Sequence, residues 1–286
     1  MATRGTFISR LGFVRLEREH SMAGVVDSIY RLLGSTYPTR RAMRWSAGRL
    51  REAMHVPNPY ADLLTIFRER RPAAILDVGA FTGQTVLKFA DEFGGVPIHA
   101  FEPTPDSFDR LVRRTEGIAN VKPHRIALSD GPGKKRFFRN QSAQTNSLLD
   151  NAEANVHAFG EETAHQDFIE VETASLDDWA AANLPTGNLI MKVDVQGAEG
   201  LLLDGGKKTI GHRVIAFFCE TAIVPLYSGE PDFFALHRRM TVELGFVLAQ
   251  IYPCARGRAG EALYTDALWV KPSNTAVAGG AANESI

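Results

Sequence analysis

Two kinds of apolar spacing alternate along the chain. Residues 75–78 (ILDV), 97–101 (PIHAF), 188–195 (NLIMKVDV, the fourth core strand, breaking at Gln196-Gly197) and 213–221 (RVIAFFCET) are short, mostly apolar runs. Runs of that length without polar alternation predict strands covered on both faces, as in a parallel sheet. Between them, apolar residues recur every three or four positions. Residues 60–70 (YADLLTIFRER) predict an amphipathic helix, as does the stretch after Gly83, with Val86, Leu87, Phe89, Ala90 and Phe93 and a stop at Gly94-Gly95. Helices are predicted likewise at residues 104–117, with Thr104 or Asp106 as cap and Phe108, Leu111 and Val112 facing in, and at 176–183 behind a Ser175 cap. Another is predicted at 231–244, with Phe233, Phe234, Leu236 and Met240 inward. A third strand is predicted within VKPHRIALSD, ending at Ser129-Asp130. The β-α-β-α-β order implies a parallel sheet with right-handed crossovers. Residues 245–253 and 262–270 have no room for a helix between them and predict a closing pair, the last strand antiparallel. The expected fold is α/β: seven mostly parallel strands with helices on both faces.

Segments of other character flank or interrupt this core. Residues 1–59 read as a helical preamble, with helices at 25–33 and 42–54 and an end at Pro57 and Pro59. Residues 133–141 predict an extra strand, and extended structure resumes at Phe168–Thr173. The polar stretch between them, residues 142–167, predicts an insertion over the edge of the sheet that binds ligand. Residues 273–286 are a small-residue tail expected to be disordered. The chain therefore divides into an extension at 1–59, a core domain at 60–272 and a tail at 273–286.

Charge changes the picture in one place only. Lysine plus arginine (32) and aspartate plus glutamate (33) nearly balance, so no global charge favours a nucleic-acid partner. Residues 1–51, however, hold ten arginines, no lysine and three acids. That composition allows contact with a membrane surface or other anionic surface, and equally a solvated helical extension. Arg10, Arg15, Asp27 and Arg31 interrupt its apolar runs, so neither a secretory signal core nor a membrane span is expected there. The two cysteines have no metal-ligand spacing: Cys219 lies in an apolar run and Cys254 beside a Gly/Arg-rich loop. A reducing, cytoplasmic setting fits that usage, and no metal site is expected.

The candidate chemistry sits where strands end. Ile75–Gly83 (ILDVGAFTG) is strand, glycine turn and helix start, a place where backbone approaches a ligand closely. The second glycine of G-x-G-x-x-G is missing, because Phe81 stands where that glycine would admit a pyrophosphate. Twenty-five positions after Asp77 the next strand ends in Glu102, a carboxylate able to take both hydroxyls of a ribose. A nucleoside without a pyrophosphate points to S-adenosylmethionine. Five successive strands end in an acid: Asp77, Glu102, Asp130, Asp194 and Glu220. Lys192 shares a sheet face with Asp194, two residues on. A Lys192–Asp194–Glu220 group could polarise an acceptor hydroxyl and take its proton. Structural readings stand beside these: an ion-pair role for Lys192, and Glu199 as a first-turn acid of a helix. His157 and His165 could supply a base from the insertion, although loop histidines are usually solvated.

ILDVGAFTG, IHAFEPTPDSFDRL, RIALSD, SLDDW, MKVDVQGAEG and TDALWV, spanning roughly residues 73–271, together resemble the FkbM family of S-adenosylmethionine-dependent methyltransferases. The resemblance implies a Rossmann-like class I methyltransferase fold and O-methylation of sugar or polyketide hydroxyls. It implies that Gly79 and Gly83 line the cofactor turn, Glu102 takes the ribose and Asp130 lies near the adenine amine. Asp77 would orient the loop and the amino-acid end of the cofactor; Phe81 would either meet the sulfonium or simply pack. The acceptor is expected to be a small molecule, glycan or glycolipid. A divalent-metal-assisted O-methyltransferase and a non-catalytic protein binding a cofactor or membrane surface are the alternatives. Oligomeric state is not readable from these residues.

Overall fold

The computed structural model describes residues 57–272, apart from Ala164, Arg258 and the side chains of His165 and Gln166. The predicted helices at 25–33 and 42–54, the arginine-rich extension and the tail lie outside the described residues. The helices are α1 (Pro59–Glu69), α2 (Gln84–Glu92), α3 (Pro105–Thr115), α4 (Glu153–Phe159), α5 (Leu176–Asn183), α6 (Glu199–Gly205), α7 (Lys207–Arg213) and α8 (Phe233–Arg238). The strands are β1 (Ala74–Val78), β2 (Ile98–Phe101), β3 (Val121–His124), β4 (Ala127–Ser129), β5 (Gly133–Asn140) and β6 (His165–Ser175). They continue with β7 (Leu189–Val193), β8 (Val214–Ala222), β9 (Val247–Ile251), β10 (Ala255–Arg256) and β11 (Ala262–Val270).

The main sheet runs β3-β2-β1-β7-β8-β11, with β9 and β10 both on the outer side of β11. Strands β3, β2, β1, β7 and β8 are parallel, and β11 is antiparallel to β8. Ile251 pairs with Ala267, and Ala255 resumes the pairing at Tyr264. β9 and β10 are thus two parts of one edge strand, broken around Pro253, which has no N–H to give a ladder. Counted so, the sheet has the expected seven strands. Every residue of β1 and β7 is buried, as expected of strands covered on both faces. Leu63 of α1 and Phe89 of α2 fill one side. Leu202 and Leu203 of α6, Ile210 of α7 and Leu236 of α8 fill the other. Among the described residues no helix is long and apolar enough to cross a membrane.

Four expectations change. VKPHRIALSD is not one strand. β3 stays at the edge of the main sheet, while β4 pairs with β6 in a separate sheet of order β4-β6-β5. Val112 is 41% exposed and Phe234 70% exposed instead of facing in. Each directly follows a buried residue of its helix, Leu111 or Phe233, and a step of about 100° carries it off the apolar stripe. The helix at 231–244 is α8 followed by a wider turn, Arg239–Glu243, in which Leu244 N–H reaches Arg239 O. At α3, Thr104 is the N-cap residue but makes no side-chain cap bond, because its hydroxyl donates to Glu102 instead.

Candidate active site

The parallel strands carry their C-terminal ends to one edge, where open α/β sheets bind ligands. The loops leaving that edge enclose a cavity of about 430 Å³, within the size range of small-molecule sites. One wall is the turn from β1 to α2. Gly79 and Ala80 donate their N–H groups to Phe101 O at 3.1 and 2.9 Å, which pins the turn to the tip of β2. Gly79 has φ +80°, and a Cβ there would lie 1.7 Å from Asp194 O. The tips of β1 and β7 meet with no room for a side chain between them.

Glu102, at the end of β2, is the buried acceptor in this wall. Its Oε1 takes the Thr104 N–H at 2.9 Å and the Thr104 hydroxyl at 2.5 Å, and its Oε2 takes the Phe81 N–H at 3.0 Å. Oε2 keeps a lone pair for a further donor. Burial pushes the Glu102 carboxyl up from its usual range, against the bonds from Thr104 and Phe81. Beyond it, Phe101, Ile126, Ala127 and Leu128 form an apolar wall. Those residues fit a nucleoside: a buried hydroxyl acceptor beside an apolar slot and a glycine turn that lines the cavity.

The other end of the cavity carries charge. Lys192 and Asp77 are register neighbours on β7 and β1, with Nζ 3.3 Å from Oδ1. Lys192 Nζ also lies 3.2 Å from Gly79 O and 3.5 Å from Asp194 Oδ2. Burial works against the lysine's charge, but Asp77 and Asp194 outweigh it and hold its pKa above the ordinary value. Asp77 is completely buried, and Lys192 is the charge that faces it. Burial raises its carboxyl and Lys192 opposes the rise. Glu220, near the end of β8, is pushed well above its ordinary value by burial and then by Asp194, Asp266 and Glu199. Burial and Glu230 bring Glu199 up to about 8. Asp266, register partner of Glu220 on β11, is brought up to about 6 by burial and Asp194.

Of the expected site residues, Gly79, Phe81, Glu102, Lys192, Asp194 and Glu220 line this cavity. Asp77 lies beneath it, and Gly83 is the N-cap of α2, facing Leu111 and not the cavity. Asp130 is elsewhere: it pairs with Lys135 and accepts the Ser129 hydroxyl at 2.9 Å. It leaves β4, in the small sheet, and that strand presents Ala127 and Leu128 to the cavity instead. The exposed His157 does not line the cavity, whereas Ser142, Thr145, Asn146 and Glu162 of the same insertion do.

Gln196 is the residue that sequence reasoning missed; it read only as the break after the fourth core strand. Its Nε2 donates to Asp194 Oδ1 at 2.8 Å and to Glu220 Oε1 at 2.9 Å, and its Oε1 accepts from Tyr227 OH at 2.9 Å. Among the described residues only Phe81 (φ +47°) and Gln196 (φ +52°) are non-glycine residues with positive φ. Both line the cavity. Strain of that kind collects where a site over-determines the backbone. No residue pattern announces a left-handed glutamine.

Known proteins resemble the chain in the same region. Residues 77–248 match the methyltransferase FkbM domain. The chain is 28% identical over 168 residues to 2-O-methyltransferase NoeI of Sinorhizobium fredii (strain NBRC 101917 / NGR234), covering 57% of this chain and 68% of that one. It is 30% identical over 153 residues to methyltransferase sdnD of Sordaria araneosa, covering 46% of this chain and 59% of that one. A solved precorrin-6y C5,15-methyltransferase from Geobacter metallireducens GS-15 superposes with a TM-score of 0.40 at 10% identity, over 74% of this chain and 87% of that one. With the domain match covering more than half of its length, the chain belongs to the FkbM family of methyltransferases.

Proposed function

We propose that this methyltransferase transfers a methyl group from S-adenosylmethionine to a hydroxyl of a small polar acceptor, such as a sugar or a glycolipid headgroup. One observation carries the reading: a buried nucleoside acceptor, Glu102, and a carboxylate pair, Asp194 and Glu220, share one cavity. The 2-O-methyltransferase among the relatives supports the choice of oxygen. S-adenosylmethionine, when bound, supplies the electrophilic methyl group. Glu102 would accept a ribose hydroxyl on its free Oε2 lone pair, and the turn at Gly79–Phe81 would line the cofactor's side of the cavity. The acceptor hydroxyl would have to lose its proton as its oxygen takes the methyl group. Glu220, in its ionised form, is the acceptor of that proton: it lines the cavity across the Gln196 amide from Asp194, and Gln196 occupies only its Oε1. Asp194 supplies negative charge toward a cationic cofactor, and Lys192 holds Asp194 and the Gly79 carbonyl in place. The point between Asp194 and Glu220 is taken by an amide N–H donor, which supports the metal-free reading over the metal-assisted one.

Glu102→Ala tests the cofactor half. It should weaken S-adenosylmethionine binding by roughly 2–4 kcal/mol, the cost of losing a charged acceptor for buried hydroxyls, while the wild type ignores NAD. Calorimetry showing unchanged affinity, or tight NAD binding, would overturn the assignment. Mass analysis of glycans and lipids from a deletion strain should reveal a missing methyl group on oxygen.

A further inference from the structure

Two cavity residues have no part in the reading above except through their neighbours. Gln196 places its amide nitrogen between Asp194 and Glu220, at 2.8 and 2.9 Å. An amide NH₂ has two protons, so each carboxylate receives one. The reversed amide would set its oxygen against both carboxylates, so the neighbours decide the orientation. Without a shared donor, two carboxylates this close would repel and turn apart, or one would take up a proton.

Tyr227 in turn holds Gln196. Its hydroxyl lies 2.9 Å from Gln196 Oε1, and its ring packs on Gly197, where a Cβ would meet Tyr227 Cδ2 at 2.8 Å. Gly197 has φ +92° directly after the left-handed Gln196. The tyrosine is itself fixed by its N–H, which donates to Glu230 at 3.0 Å. The polar insertion joins the same arrangement. Tyr227 OH is also 3.0 Å from Thr145 O, and the Ser147 hydroxyl donates to Gln196 O at 2.6 Å. One phenolic proton therefore has two acceptors within reach, one in the insertion and one on the amide.

We propose that Gln196, set by Tyr227, is a positioning residue for methyl transfer: it holds Asp194 and Glu220 on one shared donor and ties their orientation to the insertion that covers the cavity. This rests on the O-methyl-transfer reading. When the tyrosine proton is on Oε1, it polarises the amide and strengthens both N–H bonds to the carboxylates. When it is on Thr145 O, that support is withdrawn. The order of events is insertion, tyrosine, amide, carboxylates, and no member of the chain before the carboxylates needs to touch the acceptor.

The test uses the full chain carrying Gln196→Leu, Gln196→Glu or Tyr227→Phe. Glu220 is titrated by carbon NMR on protein labelled at the glutamate carboxyls, with Glu220→Gln assigning the signal. The groups facing Glu220 are Asp194, Asp266, Glu199 and Lys192, with Tyr227, Tyr264 and Cys219 nearby; all are unchanged in the two Gln196 variants. Cofactor affinity should stay within about threefold. Turnover should fall by about tenfold in Tyr227→Phe and by about a hundredfold in Gln196→Leu. Gln196→Glu, which adds a third carboxylate, should move the Glu220 titration and the acid limb of the rate profile upward by about one pH unit or more. An unmoved Glu220 titration in a variant that still binds cofactor overturns the proposal. Should both Gln196 variants fail to fold, Tyr227→Phe, which keeps the ring on Gly197, decides: wild-type turnover and titration overturn the proposal. The titration needs no acceptor. A shifted titration with no hydroxyl methylated defeats the O-methyl reading alone, and methylation with an unmoved titration defeats this inference alone.

Discussion

Three side chains divide the work of the site by how each is buried and what it touches. Glu102 is enclosed by its own neighbours' N–H and O–H groups and offers one remaining lone pair. Asp194 stands between Lys192 and Gln196, its side chain 35% exposed. Glu220 has raised proton affinity, from burial and from the acids around it. Asp194→Asn keeps the size of the side chain and removes its charge. Turnover should fall by about 10²-fold or more, the usual scale for a positioned charged group, while cofactor affinity changes far less. Rapid-quench kinetics beside calorimetry separates the two. Near-normal turnover with a raised cofactor KM would make Asp194 a binding residue only.

At the scale of elements, the site is a junction of strand tips. β1 is followed by Gly79 because the carbonyl of Asp194, directly after β7, occupies the space of a side chain. The glycine that the sequence presents as a ligand approach is therefore equally a requirement of sheet closure. Gly79→Ala should cost roughly 2–4 kcal/mol through a left-handed backbone and a backbone clash, read as a lowered urea midpoint with unchanged slope. A neutral result would mean that the β1 and β7 tips can part, and that Gly79 serves the ligand alone. The insertion is also held as an element. Asn151 Nδ2 donates to Asn140 Oδ1 and Thr163 O, both at 2.8 Å, while Asn155 donates to Asn151. That amide ladder explains how so polar a segment keeps a defined shape over the cavity.

For the whole molecule, the buried acids make stability depend on pH. Glu199 is a carboxyl whose folded pKa is raised to about 8 by burial and Glu230. Between about pH 4.5 and 8 the folded chain holds a proton that the unfolded chain releases, so this contribution is full below that window and lost as pH rises through it. His99, lowered from 6.5 to about 4 by burial and His124, acts oppositely between those two values: its contribution grows as pH rises through them. The difference between wild type and Glu199→Gln isolates the glutamate. The variant should match wild type near pH 4.5 and be more stable by roughly 2–4 kcal/mol above pH 8.5, as measured by denaturant unfolding across that range. Equal stability at both ends would show that Glu199 carries no trapped proton.

Much of this was legible in the chain itself. Unbroken apolar runs against three-to-four spacing settled which segments are strands and which are helices, because burial on two faces or one leaves different periodicities. The acids closing successive strands marked the ligand edge, because parallel strands all end on the same side. Tertiary structure decided the rest. That Asp130 pairs with Lys135 and does not line the cavity depended on which sheet β4 joined. The exposure of Val112 and Phe234 depended on how α3 and α8 rolled against their neighbours. The amide of Gln196 reaches Glu220 only because β8 lies beside β7, bringing together residues twenty-four positions apart. Local sequence encodes spacing along one element; the meeting of groups from separate strands, and the strained turn that lets them meet, arise only once the sheet has closed.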